Sequence, residues 1–134
     1  VIGDMVNLAS RMEGLTKKYH QPLLISESVH MKVKEKVPCR LIDNVEVKGK
    51  TRGVRIFAAR TAVTEAERQA WTIHERGMAA YFKRDFARAV VLFREVQQIL
   101  PDDHPSRLMA ERCALYQSNP PPANWNGVEV MKEK

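Results

Sequence analysis

The sequence predicts an α+β fold that combines a mixed half with an all-helical half. Apolar residues follow helical and strand-like spacings in turn along residues 1–61, whereas residues 62–118 show helical spacing alone. The residues from 119 onward include a run of three prolines and predict an extended tail. We therefore expect two domains, 1–61 and 62–118, followed by a Pro-rich tail over 119–134.

The spacing of apolar side chains in the first 61 residues predicts a helix, a strand, a second helix and a β-hairpin. In the hairpin, alternation places Leu41 and Val45 on one apolar face, with Val47 beyond them. Asp43 and Glu46 are expected to be surface residues of the strand. The predicted bounds are 4–19 and 27–36 for the helices, 23–25 for the strand, and 39–47 and 54–59 for the hairpin.

Residues 62–118 contain no strand signal, and their apolar spacing predicts three helices. Breaks in the pattern at Arg84-Asp85 and around Pro101 separate them, because proline cannot continue a helix. The predicted helices span residues 66–82, 86–99 and 104–117.

The charge of the chain has two interpretations, and the distribution of its basic residues chooses between them. The formal net charge is +6, which is compatible with a nucleic-acid partner. However, Lys and Arg are spread along the whole chain among acidic residues, and no aromatic residues interleave with a basic run as base stacking requires. We therefore expect no nucleic-acid binding, and a basic surface or a nucleotide triphosphate pocket instead.

Compartment and processing are predicted from the cysteines and the start of the chain. Cys39 and Cys113 lie far apart and form no C-x-x-C pair, so two reduced thiols in a cytoplasmic protein are expected. No apolar run approaches the roughly 20 residues that cross a bilayer. Because the chain starts at Val1, with neither an initiator Met nor a signal peptide, we expect it to be cut from a longer protein.

The most informative stretch of the sequence runs from Gly3 to Glu13. Asn7 and Arg11 are four residues apart, so their side chains leave the predicted helix on the same side. Arginine suits phosphate because its fork donates several fixed hydrogen bonds and keeps its charge. Spacing alone also allows an ordinary solvated helix face. The apolar stripe that these two side chains avoid is Met5, Leu8 and Met12.

This stretch resembles the G-x-x-V-N-x-A-x-R-x-E signature of bacterial class III adenylate and guanylate cyclases, and Val47-Lys48-Gly49-Lys50 resembles the V-K-G-K hairpin that follows it in those enzymes. The resemblance covers residues 1 to about 60. It implies an enzyme that converts ATP or GTP to the 3′,5′-cyclic nucleotide and pyrophosphate in intracellular signalling. By position, it assigns Asn7 to the ribose, Arg11 to the phosphates and Lys48 to the triphosphate tail.

The resemblance also implies which parts of the active site this chain lacks. In the family, two aspartates that bind Mg²⁺ or Mn²⁺ lie upstream of the signature, so we expect no metal ligand here and no activity of this chain by itself. Asp4 is expected to cap a helix, and His20 and His30 to be structural or surface residues. Class III catalytic domains pair to build their active sites, so a homodimer or higher self-association is expected.

The helical half has a resemblance of its own, to a tetratricopeptide helix pair. Ile73 and Ala80 depart from that motif, which usually carries larger aromatics there. The helices could therefore pack on the cyclase segment or on a second copy, or offer a peptide-binding groove. The alternative function is a protein-interaction module with a vestigial cyclase portion. Trp125 is expected to anchor the tail. The positions that match the tetratricopeptide motif are Gly77, Phe86, Ala89, Phe93 and Pro101.

Overall fold

A computed structural model of the chain describes residues 16–21, 23–46 and 53–130, and the predicted mixed α+β class is confirmed in them. The chain divides into two compact units. The helical unit spans Ala62–Gly127, and the mixed unit contains the residues up to Thr61 and those from Val128. The elements are β1 (Leu24–Ser26), α1 (Glu27–Val33), β2 (Cys39–Glu46), β3 (Gly53–Ala59), α2 (Glu65–Phe82), α3 (Phe86–Ile99), α4 (His104–Ser118) and β4 (Glu129–Val130).

The mixed unit is built on a sheet with the strand order β1-β3-β2-β4. Strands β2 and β3 form the predicted antiparallel hairpin, β1 pairs antiparallel with β3, and β4 pairs parallel with β2. The hairpin turn over 47–52 lies outside the described residues. So does most of the predicted helix over 4–19, of which residues 16–19 are described and helical.

Strand β2 departs from the predicted alternation because it contains a bulge. Leu41 pairs with Phe57, but the next pair is Asp43 with Ile56, so Ile42 is an extra residue. From that point the side chains of β2 exchange faces. Leu41 and Val45, which were expected on one face, therefore lie on opposite faces. The prediction that Asp43 lies on the surface is also wrong, since Asp43 has no solvent exposure.

The helical unit consists of three helices whose starts are fixed by local capping. Thr64 accepts a hydrogen bond from the backbone of Glu67, and the Glu67 side chain accepts one from the backbone of Thr64, which completes a capping box at α2. The side chains of Asp85 and Asp103 cap α3 and α4 in the same way. These caps explain why the helices begin within a residue or so of their predicted starts.

The close approach of α2 and α3 depends on Gly77. A Cβ atom at this position would lie 2.8 Å from Cε1 of Phe93, which is fully buried. The ring of His74 packs edge-on against Phe93 with 5.1 Å between the ring centres. A separate contact between Trp71 and Val96 continues the core along the two helices.

The two cysteines lie in different units, and no disulfide joins them. Burial raises the pKa of Cys113, in α4, to about 12, so its thiol is protonated at neutral pH. In the part of the chain that is described, no helix is long and apolar enough to cross a membrane.

Replacing Gly77 with alanine should lower the free energy of unfolding of the helical unit. Glycine to alanine usually gains about 1 kcal/mol inside a helix, but overpacking against Phe93 should cost about 1–3 kcal/mol. Urea unfolding followed by circular dichroism measures the net effect. The matched test repeats Gly77→Ala in a Phe93→Leu background, where the destabilisation should shrink or reverse. Equal stabilisation in both backgrounds would contradict the close approach.

Candidate functional site

The predicted site residues Asn7, Arg11 and Lys48 all lie outside the described residues. What the structure places is the framework next to them in sequence. Residues 16–19 end the helix predicted to carry Asn7 and Arg11, and β2 leads into the turn that contains Lys48.

The described end of the helix is closed by backbone geometry at His20. Its φ of 53° is left-handed, and the backbone N–H of Gln21 donates to the carbonyl of Thr16 at 3.0 Å. This six-residue closure, with a left-handed residue inside it, is a common way to end a helix. The side-chain amide of Gln21 donates to the carbonyl of His20 at 2.9 Å. The helix therefore stops directly after Tyr19.

Tyr19 joins this helix end to strand β2 through a buried hydrogen bond. Its hydroxyl donates to Oδ2 of Asp43 at 2.5 Å, and neither residue is exposed to solvent. The backbone N–H of Asn44 donates to the other carboxylate oxygen at 2.8 Å. A buried carboxylate is unfavourable unless donors surround it. The hydrogen bond thus gives the helix end a specific attachment point on the sheet.

Arg40 is the second charged residue inside the mixed unit, with 1% of its surface exposed. It pairs with Ala58, and Asp43 pairs with Ile56, so both lie on the same face of the hairpin. Regular alternation would have put residues three apart on opposite faces. The bulge at Ile42 brings them to one face. Sequence reasoning missed this pair, and the available signal was two opposite charges enclosing Leu41 and Ile42.

The opposite face of the hairpin is covered by α1. His30 stacks on Phe57 with 3.7 Å between ring centres and 6° between planes. Burial there lowers the pKa of His30, the charge of Lys34 lowers it further, and Glu27 opposes both. The imidazole is therefore neutral at pH 7 and acts as a packing ring. Five of the eight residues of the neighbouring strand β2 are buried.

A metal site is not formed by the residues that can be seen. Within residues 16–21, 23–46 and 53–130, no three His, Cys, Asp or Glu side chains come together as ligands for an ion. The metal ligands expected upstream of the signature stay a prediction.

Removing the Tyr19 hydroxyl should destabilise the mixed unit by about 1–3 kcal/mol, because a donor to a buried carboxylate is lost while the ring still fills its space. Hydrogen exchange of the β2 amides measures this for Tyr19→Phe without interference from the helical unit. In an Asp43→Asn background the same change should have a smaller effect. Additive effects of the two substitutions would mean that the two side chains do not interact.

Two curated proteins resemble the chain, and both are named adenylate cyclase. "Adenylate cyclase, terminal-differentiation specific" of Dictyostelium discoideum is 33% identical over 124 residues, which cover 84% of this chain and 6% of that protein. An adenylate cyclase of Anabaena cylindrica is 52% identical over 60 residues, which cover 42% of this chain and 12% of that protein. No family model matches, and no solved structure matches significantly. The chain spans a small part of each relative, and within that part it is related to adenylate cyclases.

Proposed function

We propose that this chain supplies the ribose- and phosphate-contacting part of a purine nucleotide cyclase that acts in cytoplasmic signal transduction. The observation that carries the proposal is the similarity to two proteins named adenylate cyclase, one of them 52% identical over 60 residues. The signature around Asn7 and Arg11 supports the same conclusion. The relatives' names favour ATP over GTP as the substrate.

In the proposed reaction, the ribose 3′-hydroxyl attacks the α-phosphate and pyrophosphate leaves. Asn7 orients the ribose, Arg11 stabilises the charge that develops on the phosphates, and Lys48 contacts the triphosphate tail. Catalysis of this kind depends on positioning and on fixed charges. A bound Mg²⁺ or Mn²⁺ would neutralise phosphate charge and favour loss of the hydroxyl proton. Because the described residues form no metal site, its ligands would come from outside them.

The described framework supports this assignment of roles. The buried bond between Tyr19 and Asp43 fixes the end of the signature helix on β2. Lys48 follows two residues after the end of β2 at Glu46. Strand β2 therefore contacts the end of the helix predicted to carry Asn7 and Arg11 and leads into the segment that contains Lys48, and a precise site benefits from support of this kind.

We propose a tetratricopeptide-like character for the helical unit. The contact between Gly77 and Phe93 supports it, because a small residue facing an aromatic ring allows the close helix pairing of that motif. The alternative function, a protein-interaction module beside an inactive cyclase segment, would rest on this unit. The test uses a longer protein that contains this chain, as expected from the sequence. Formation of cyclic nucleotide by that longer protein would favour the cyclase. Capture of a peptide by a longer protein without cyclase activity would favour the alternative.

In the longer protein, Asn7→Ala or Arg11→Ala should lower turnover of ATP by at least about tenfold, equivalent to about 1.4 kcal/mol of transition-state stabilisation. Cyclic AMP formation with Mg²⁺ or Mn²⁺ is the measurement, and Arg68→Ala, an exposed position on α2, is the control. The 134-residue chain by itself should form no cyclic nucleotide. Wild-type turnover in either variant would remove the proposed role of that residue.

We further expect this chain to form a homodimer or a higher oligomer. In the mixed unit, Leu23 beside β1 is 53% exposed and Met31 of α1 is 59% exposed, and such apolar surface favours association. Light scattering after size exclusion should give a mass above 15.3 kDa at micromolar concentration. Met31→Glu should weaken the association more than Val91→Glu, a control that is 57% exposed in the helical unit. A mass of 15.3 kDa at all concentrations would refute the expected self-association.

A further inference from the structure

A cavity of about 350 Å³ lies in the helical unit, where α2 ends and α3 begins. We propose that this cavity binds a small anion with two or more phosphate groups, either inorganic pyrophosphate or the phosphate tail of a nucleotide. Every residue that lines it belongs to the helical unit, so the proposal depends neither on the mixed unit nor on the function proposed above. The lining residues are Arg76, Ala79, Ala80, Lys83, Asp85 and Arg88.

The cavity collects positive charge in a unit that has no excess of it. Residues 62–127 contain eight Lys and Arg residues and eight Asp and Glu residues, so their formal charges cancel. Three of these eight cations, Arg76, Lys83 and Arg88, line the cavity with a single carboxylate, that of Asp85. A soluble surface needs only an even mixture of both signs. The cavity therefore has a local excess of two positive charges that solubility does not explain.

The carboxylate of Asp85 already has a structural role. Its Oδ1 accepts a hydrogen bond from the backbone N–H of Arg88 at 3.3 Å and so caps α3. In the described part of the chain, no residue forms an ion pair or a side-chain hydrogen bond with Arg76, Lys83 or Arg88. Like charges that are gathered without a counter-charge repel one another. A bound anion would remove this repulsion.

The backbone sets the positions of the three cations. Arg76 and Lys83 are seven residues apart, about two helical turns, and therefore leave α2 on the same side. The backbone N–H of Lys83 donates to the carbonyls of Ala79 and Ala80, each at 3.2 Å, which closes the end of the helix. Arg88 follows in the first turn of α3. A site built on two helix ends needs little rearrangement when its ligand enters.

Arg84, which lies in the same connection, is held by other groups. Its Nη1 donates to the carbonyl of Pro122 at 2.9 Å and its Nη2 to the carbonyl of Pro121 at 2.8 Å. Its guanidinium also lies 5.6 Å from the ring centre of Trp125, which itself packs on rings from α2, α3 and α4. The protein thus satisfies this cation internally, in contrast to the three that line the cavity.

The chemistry of the lining favours phosphate groups. Each arginine presents a planar fork that can donate two parallel hydrogen bonds to phosphate oxygens, and the lysine adds a compact charge. Ala79 and Ala80 have short side chains, which leave room for a ligand between the long cationic ones. Sites for small molecules usually have volumes of about 300–1,000 Å³, and this cavity lies at the lower end. A chain of two or three phosphate groups matches both this size and the three cations.

Titration of the full 134-residue chain with inorganic pyrophosphate, followed by ¹H–¹⁵N NMR, tests the proposal. At about 0.15 M ionic strength, which screens distant surface charges, the amide signals of residues 76–88 should shift and saturate. The affinity for pyrophosphate should exceed that for inorganic phosphate and for citrate, a carboxylate anion, by at least about tenfold. Equal binding of citrate would overturn the assignment to phosphate groups.

Substitutions assign the binding to the cavity. Arg76→Gln and Arg88→Gln should each lower the affinity for pyrophosphate at least about fivefold, because each removes a charged fork. Glutamine has nearly the helix propensity of arginine, so both variants should fold. Arg94→Gln, the same loss of charge at an exposed position on α3, is the matched control and should lower the affinity by less than about twofold. Equal losses in all three variants would show a diffuse charge effect and overturn the proposal.

A titration with ATP distinguishes the two sources of the phosphate groups. Shifts in residues 76–88 at higher affinity than with pyrophosphate would support a nucleotide tail, and weaker ones would support free pyrophosphate. Shifts that do not saturate up to about 10 mM of either anion would overturn the site. Saturating shifts around Lys48 without any in 76–88 would also overturn it while supporting the proposed cyclase function, so the two failures can be told apart.

Discussion

The extra residue in β2 at Ile42 sets which side chains the mixed unit has to bury. Because of it, Arg40 and Asp43 occupy one face of the hairpin, where neither is exposed to solvent. Burial of a carboxylate without donors would cost several kcal/mol. The hydroxyl of Tyr19 and the backbone of Asn44 provide such donors. The position of residues 16–19 therefore follows from a hydrogen-bond requirement created by the strand and not from apolar packing alone.

Strand β2 also links the other parts of the mixed unit. It pairs along its length with β3, and its last two residues pair on the other side with β4. The end of β2 thus has a strand on both sides, immediately before the turn of the hairpin. The role proposed for Lys48 would gain precision from fixed strands at the base of the turn.

Local signals made most of the described fold predictable from the sequence. The three helices of the second unit follow from apolar spacing, and their starts from Thr64, Asp85 and Asp103. The burial of Asp43 was not predicted, because a bulge depends on the pairing of two strands, and the opposite charges of Arg40 and Asp43 are only a weak local signal of it. The hydrogen bonds from Arg84 to the carbonyls of Pro121 and Pro122 were not predicted either, since these residues lie almost 40 positions from Arg84 in the sequence. Trp125 was expected as an anchor, but only the structure identifies the rings that it meets. The roles of Asn7, Arg11 and Lys48 stay predictions.

The similarity to the Dictyostelium adenylate cyclase extends beyond the mixed unit. That unit accounts for about half of the chain, so an alignment over 84% of it has to include part of the helical unit. Helical residues as well as those around the signature therefore belong to the part of the chain that is similar to an adenylate cyclase.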